Sequence, residues 1–171
     1  MEIKIIPLQT LPQTAIWREV FNKHGINRHI EYYAQCLEEN RSGIRTTIFA
    51  EVDREIAGCV HLLQHSSYPH FAEQAIPEIN DLNVLPAYRR NGVASALLDH
   101  MEQLAYQNGD VIGLGVGLYE DYGAAQRLYC KRGYVPDGKG VYYRNEKVAP
   151  GASVAVDDEL ILYFTKTLKA N

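Results

Sequence analysis

The sequence predicts an α+β fold, a mixed and mostly antiparallel central sheet of about seven strands flanked by about four helices. Three observations predict it. The chain has 171 residues, 46% of them hydrophobic, which suits one core. Its hydrophobic period switches in the order β-α-α-β-β-β-α-β-α-β-β, which is not the regular alternation of a doubly wound sheet. No repeat, low-complexity stretch or linker interrupts that order, so residues 1–171 read as a single domain.

Each element has its own signal. Ile3 to Ile6 is a β-rich run ended by Pro7. Ile16, Trp17, Val20 and Phe21 then form i,i+4 pairs on one helical stripe, and Gly25 stands where a C-cap is expected. Ile30, Tyr33, Ala34 and Leu37 predict a second helix from about Arg28 to about Asn40. Alternation from Thr46 to Val52, the charged turn Asp53-Arg54-Glu55 and the run Ile56 to Leu63 read as an antiparallel hairpin. Gln64 to Pro77 is polar, carries two prolines and is expected to be a loop. Glu78 to Val84 is a strand ended by Pro86. From Val93 a periodic helix places Ala94, Leu97, Leu98, Met101, Leu104 and Ala105 on one face and stops at Asn108-Gly109. Val111 to Leu118 is a strand, Gly123 to Arg132 a helix capped by Gly133, and Val141 to Val148 and Leu160 to Leu168 are the last strands, around an Ala149-Pro150-Gly151 turn.

Composition narrows the function. With 17 basic and 21 acidic residues the formal charge is −4, without the basic excess of a phosphate-tracking surface, so nucleic acid is not an expected partner. The start lacks a basic n-region followed by an apolar stretch, and no run approaches the roughly 18 apolar residues of a membrane span. No membrane partner is expected, and the protein is expected in the cytoplasm. Cys36, Cys59 and Cys130 are odd in number and form no C-x-x-C pair, which argues against a disulfide framework or a cysteine zinc site; they read as buried thiols.

The most informative segment is Arg89-Arg90-Asn91-Gly92-Val93-Ala94, between a strand and a long amphipathic helix. The first turn of a helix leaves four N–H groups without internal partners, and a glycine there lets an anion come close. The helix dipole contributes only about 0.3–1 kcal/mol, whereas each charge-assisted hydrogen bond contributes about 1.5–3, so converging N–H groups would set the affinity. An ordinary Asn-Gly turn with two solvated arginines stays open as the alternative.

With these residues the sequence resembles the GNAT superfamily of acyl-CoA-dependent N-acetyltransferases. Arg89-x-x-Gly92-x-Ala94 fits that family's [Gln/Arg]-x-x-Gly-x-[Gly/Ala] pyrophosphate motif, and the run Ile79-Asn80-Asp81-Leu82-Asn83-Val84-Leu85-Pro86 looks like its central strand and loop. Ala125, Leu128, Tyr129, Gly133 and Tyr134 match the spacing of a later family helix, with Tyr122 where the family has Asn. The resemblance implies acetyl-CoA as cosubstrate, in a cleft between Glu78 to Val84 and Val111 to Leu118. It implies that the backbone of Leu82, Asn83 and Val84 pairs with the pantetheine arm. It also implies that Arg89 and the N–H groups of Arg90, Asn91, Gly92, Val93, Ala94 and Ser95 hold the pyrophosphate. Extended amide ligands add to strand edges by the same main-chain bonds that peptides use.

The implied chemistry needs a base and a stabiliser for the leaving group. A lysine-type amine has a pKa near 10.4, so only about one molecule in 10³ is free base at neutral pH, a deficit of roughly 4–5 kcal/mol. Glu78 and Asp81 are the carboxylates on the strand entering the cleft, and Glu78 is preferred. They face opposite ways on a regular strand, a parity that any bulge would change. The leaving thiolate resembles cysteine, with a pKa near 8.5, so an unperturbed tyrosine near 10 would give up its proton about 2 kcal/mol uphill. Tyr129 matches the family's general-acid tyrosine.

Other features read as non-sites. Gly113, Gly115 and Gly117 alternate along a strand and miss the third position of G-x-G-x-x-G, so they predict a bare strand face. His61 and His65 lack the Glu of a metalloprotease, and no metal is expected. Two acidic clusters, Glu120-Asp121 and Asp157-Asp158-Glu159, suggest a small cationic amine as acceptor, with solvated turns as the alternative. The expected activity is acetyl transfer to a primary amine of a small molecule. A non-catalytic acyl-CoA-binding or sensing module and a homodimer both stay open.

Overall fold

A computed structural model of the chain describes residues 2–169. In order they form β1 (Lys4–Pro7), α1 (Leu11–Lys23), α2 (Ile30–Ser42), β2 (Arg45–Val52), β3 (Glu55–Leu63), α3 (Pro69–Gln74), β4 (Glu78–Val84) and α4 (Val93–Tyr106). There follow β5 (Val111–Gly117), α5 (Gly123–Lys131), β6 (Val135–Tyr143), β7 (Glu146–Lys147) and β8 (Leu160–Thr167). The α+β class and mixed sheet stand, with eight strands and five α-helices among the described residues. The residues group into two compact units: the chain up to Gln64 with Ile79–Leu104, and His65–Glu78 with the described residues from Ala105 onward.

In the first unit the strand order is β1-β2-β3-β4, and β1, β2 and β3 pair antiparallel. Asp53 and Arg54, at φ 51° and 68°, make the two-residue hairpin turn whose twist suits antiparallel strands. Gln13 starts α1 by accepting the Thr10 N–H at 2.9 Å, and Gly43, left-handed at φ 77°, ends α2. Trp17, Phe21, Tyr33, Cys36, Leu37, Phe49 and Cys59 are buried in one cluster, each large side chain worth about 1.5–3 kcal/mol of transfer. On α4 the predicted face is buried at Leu97, Leu98, Met101 and Ala105.

In the second unit the order is β5-β8-β6-β7, with antiparallel pairing throughout. The glycines of β5 are where aromatic rings come close: a Cβ on Gly113 would lie 2.2 Å from Phe71, and one on Gly117 would lie 2.4 Å from Tyr122.

Four expectations need correction. Gln64 to Pro77 is not all loop, because Pro69 opens the short helix α3 and Phe71, fully buried, anchors it. The strand expected from Val141 to Val148 is a hairpin, since Arg144 and Asn145 take φ 52° and 62° and turn the chain from β6 into β7. β6 also begins earlier, at Val135, with irregular pairing between Pro136 and Val141. Cys36 and Cys59 are buried, but Cys130 is exposed, one position round the helix from buried Tyr129. No helix among the described residues is long and apolar enough to cross a membrane.

Candidate active site

The Arg89–Ser95 segment lies in the first unit. A 3-10 turn, Pro86–Tyr88, leads out of β4, and the Arg89 side chain folds back so that its Nε donates to the Val84 carbonyl at 3.0 Å. Arg90 and Gly92 both take left-handed backbone, at φ 63° and 84°. Ala96 N–H donates to the Gly92 carbonyl at 3.0 Å, so Val93, Ala94 and Ser95 form the first turn, where helix geometry provides no acceptor within the helix for their N–H groups. A Cβ on Gly92 would meet nothing within 4 Å, so the space over the turn is open. Open space, first-turn N–H groups and two exposed arginines suit an anion of pyrophosphate type.

Asp81, on β4, departs from regular strand geometry at φ 49°, a left-handed position that Asp tolerates better than most residues. Its carboxylate is heavily engaged. Oδ1 accepts from Arg28 Nη2 at 2.9 Å and Asn83 Nδ2 at 2.8 Å, and Oδ2 accepts from the Tyr32 hydroxyl at 2.8 Å. The Tyr32 oxygen is also 2.9 Å from His61 Nε2, and His61 Nδ1 is 2.8 Å from the Thr47 hydroxyl. One proton arrangement satisfies the whole chain: Thr47 O–H to Nδ1, Nε2–H to Tyr32, and Tyr32 O–H to Asp81. Burial keeps His61 neutral, and burial together with the Asp81 charge keeps Tyr32 protonated. For Asp81, burial pushes the pKa up, but His61, the Arg28 guanidinium and Tyr32 outweigh it and hold the carboxyl well below the usual range. A carboxylate held so firmly ionised is a weak base.

Glu78 opens β4 and is 7% exposed. Its Oε2 accepts from the Ser66 hydroxyl, whose oxygen accepts the Tyr68 N–H at 2.9 Å. Tyr68 is fully buried and stacked on Tyr163, with centroids 3.6 Å apart and planes 1° from parallel, and its hydroxyl donates to Asp137 at 2.6 Å. The two candidate carboxylates therefore have different environments.

Tyr129, on α5, is 6% exposed, and its hydroxyl makes no hydrogen bond among the described residues. Burial pushes its pKa up to about 12. Against a thiol of pKa near 8.5, full proton transfer from such a phenol would be uphill by about 5 kcal/mol, so its chemistry suits hydrogen-bond donation and not proton release. Tyr122, where the resembled family has Asn, packs its ring on Gly117 and donates to Asp158 Oδ1 at 2.9 Å. Tyr119 donates to the same oxygen, and the Tyr143 hydroxyl donates to Asp157 at 3.1 Å. The Asp157-Asp158 cluster is thus pinned by three phenols.

Sequence reasoning missed Arg28, Tyr32, Thr47 and Ser66. None lies in a motif, and His61 drew notice only through its spacing from His65. His61 is buried within β3 with both ring nitrogens engaged, and no group of three or more His, Cys, Asp or Glu suited to a metal occurs among the described residues.

Comparison with known proteins bears on this arrangement. No curated protein matches the chain. An N-acetyltransferase from Staphylococcus aureus Mu50 superposes with TM-score 0.71 at 16% identity, over 99% of this chain and 100% of that one. The ribosomal-protein-S18-alanine N-acetyltransferase from Escherichia coli gives 0.69 at 14% identity, over 99% and 96%. Aminoglycoside 6'-acetyltransferase type Ii gives 0.66 at 18% identity, over 100% and 99%. At such identities these likenesses establish the fold. A family model described as Acetyltransferase (GNAT) domain matches residues 44–136, over half of the chain and including β4, the Arg89–Ser95 turn and Tyr129. On that match, with the fold likeness spanning nearly every residue, the chain belongs to the GNAT family of acetyltransferases.

Proposed function

We propose that the chain is one acetyltransferase domain that moves an acetyl group from acetyl-CoA to a primary amine of a small cationic molecule. The observation that carries this reading is that Asp81 is held ionised by Arg28, Tyr32 and Asn83, which makes it a poor proton acceptor, while Glu78, the other carboxylate of the strand, is buried and hydrogen-bonded by the Ser66 hydroxyl. Glu78 is the base, acting directly or through a water, and Asp81 organises the bend in β4. Acetyl-CoA, when bound, supplies a thioester whose acyl carbon the amine attacks. Arg89 and the N–H groups of Arg90, Asn91, Gly92, Val93, Ala94 and Ser95 hold the pyrophosphate, and Leu82, Asn83 and Val84 offer backbone groups to the pantetheine arm. Tyr129 is the donor we assign to the sulfur as charge develops there.

The choice of a small cation draws support from the Asp157 and Asp158 side chains, held in place by phenol hydroxyls, and from the fold relative named for an aminoglycoside. A thiol-release assay with acetyl-CoA against polyamines, aminoglycosides, amino acids and peptides tests it. Turnover confined to small polycationic amines is expected. Turnover of peptides alone would overturn the acceptor class, and acetyl-CoA binding without thiol release from any amine would return the chain to a binding or sensing module.

A further inference from the structure

We propose that Ser66 is the positioning residue for Glu78: its hydroxyl fixes the orientation of the carboxylate and favours the ionised form that receives the amine's proton. The proposal rests on reading Glu78 as the base. Ser66 lies between β3 and α3, is 7% exposed, and belongs to no motif. Two contacts define its role. The Tyr68 N–H occupies one lone pair of Ser66 Oγ at 2.9 Å, which leaves the hydroxyl hydrogen directed to Glu78 Oε2. Tyr68 cannot drift, because its ring is fully buried against Tyr163 and its hydroxyl is tied to Asp137. Glu78 is thus connected through Ser66 to a rigid aromatic stack.

The electrostatics agree with that geometry. Tyr163, on β8, feels the Glu78 charge, and its phenol is kept protonated by burial and by the charges of Glu78, Glu159 and Asp137. Tyr68 is likewise protonated, through burial and its bond to Asp137. In the proton step an ammonium and the Glu78 carboxylate become a free amine and a neutral carboxyl group. A hydroxyl donor on the carboxylate lowers its pKa, which keeps it ionised over a wider pH range at a small cost in basicity, and the gain in turnover comes from the fixed orientation of the carboxylate.

The test uses the full-length protein. The Glu78 carboxyl is titrated by ¹³C NMR, its signal assigned through Glu78→Gln, in wild type, Ser66→Ala and Ser66→Thr, alongside pH profiles of kcat/KM. Ser66→Ala is expected to raise the Glu78 pKa by about one unit, to move the acid limb of the profile upward with it, and to lower kcat about tenfold. Ser66→Thr, which keeps the hydroxyl, is expected to restore all three. Should Ser66→Ala fail to fold, Ser66→Cys keeps the size with a weaker donor and is expected to shift the same titration in the same direction. An unchanged Glu78 titration in the folded variants would overturn the role of Ser66. Wild-type turnover of Glu78→Gln would instead overturn the base reading on which the proposal rests, and the activity-independent titration separates these two failures.

Discussion

Replacing Asp81 by Asn removes one negative charge while keeping the side chain's size and its tolerance of left-handed backbone, so the strained φ of 49° adds no cost of its own. The lost charge is the acceptor for Arg28, Asn83 and Tyr32, and the new amide group presents donors to some of those donors. Breaking a buried pair by removing one partner costs about 3–5 kcal/mol. Here the Asp81 side chain is 17% exposed and that of Arg28 43%, so water screens part of the interaction and the loss is expected near about 2–3 kcal/mol. For a chain of this size that lowers Tm by roughly 5–10 °C. Because the folded pKa of Asp81 lies below its unfolded value, the stabilisation is fully present above the unfolded pKa of about 3.9 and is lost as pH falls through the lower folded value. The gap between wild type and Asp81→Asn should therefore be constant at neutral pH and narrow only in acid. Urea unfolding followed by Trp17, the single tryptophan, suits the measurement, since its ring centroid lies 5.8 Å from Tyr32 and 5.7 Å from His61. A gap under about 0.5 kcal/mol at neutral pH, well below the buried-pair range, would refute the picture of Asp81 as an ionised hub.

Three further outcomes are expected. Tyr129→Phe should lower kcat by about 10- to 150-fold, the equivalent of one charge-assisted hydrogen bond of about 1.5–3 kcal/mol, with little change in acetyl-CoA affinity by calorimetry; wild-type kcat with chemistry rate-limiting would return Tyr129 to a packing role. Gly92→Val should weaken acetyl-CoA binding at least tenfold, because the branched side chain would fill the open space over the turn and strain its φ of 84°; unchanged affinity in the folded variant would remove this turn as the anion site. Gly58→Ala should lower stability by about 1–3 kcal/mol, since the new Cβ would stand 2.5 Å from the Asn83 carbonyl oxygen and force β3 and β4 apart; an unaltered urea midpoint would show that the strands yield freely.

What the sequence determined by itself was whatever short-range periodicity and backbone chemistry encode. The face of α4 with Leu97, Leu98 and Met101 follows from a 3.6-residue period, and the turn at Gly92 follows from a residue that adopts positive φ at the start of a helix. Both signals are complete within a few residues. The short helix α3 was hidden because six residues in a polar stretch carry too little periodicity, and only the fully buried ring of Phe71 explains why they are helical. The early start of β6 was hidden because Gly138 and Gly140, at φ 77° and 86°, break the alternation of a regular strand, while pairing with β8 on either side of them is a long-range contact.

Only the tertiary structure separated Glu78 from Asp81. In sequence they are two acids three positions apart on one strand, with a slight preference for Glu78. Packing brings Arg28, Tyr32 and, through Tyr32, His61 and Thr47 onto Asp81, from segments up to 53 residues away, and it brings the Ser66 hydroxyl onto Glu78. The basicity of a carboxylate is set by burial and by the donors around it, and those donors arrive through long-range contacts that no local pattern of residues encodes.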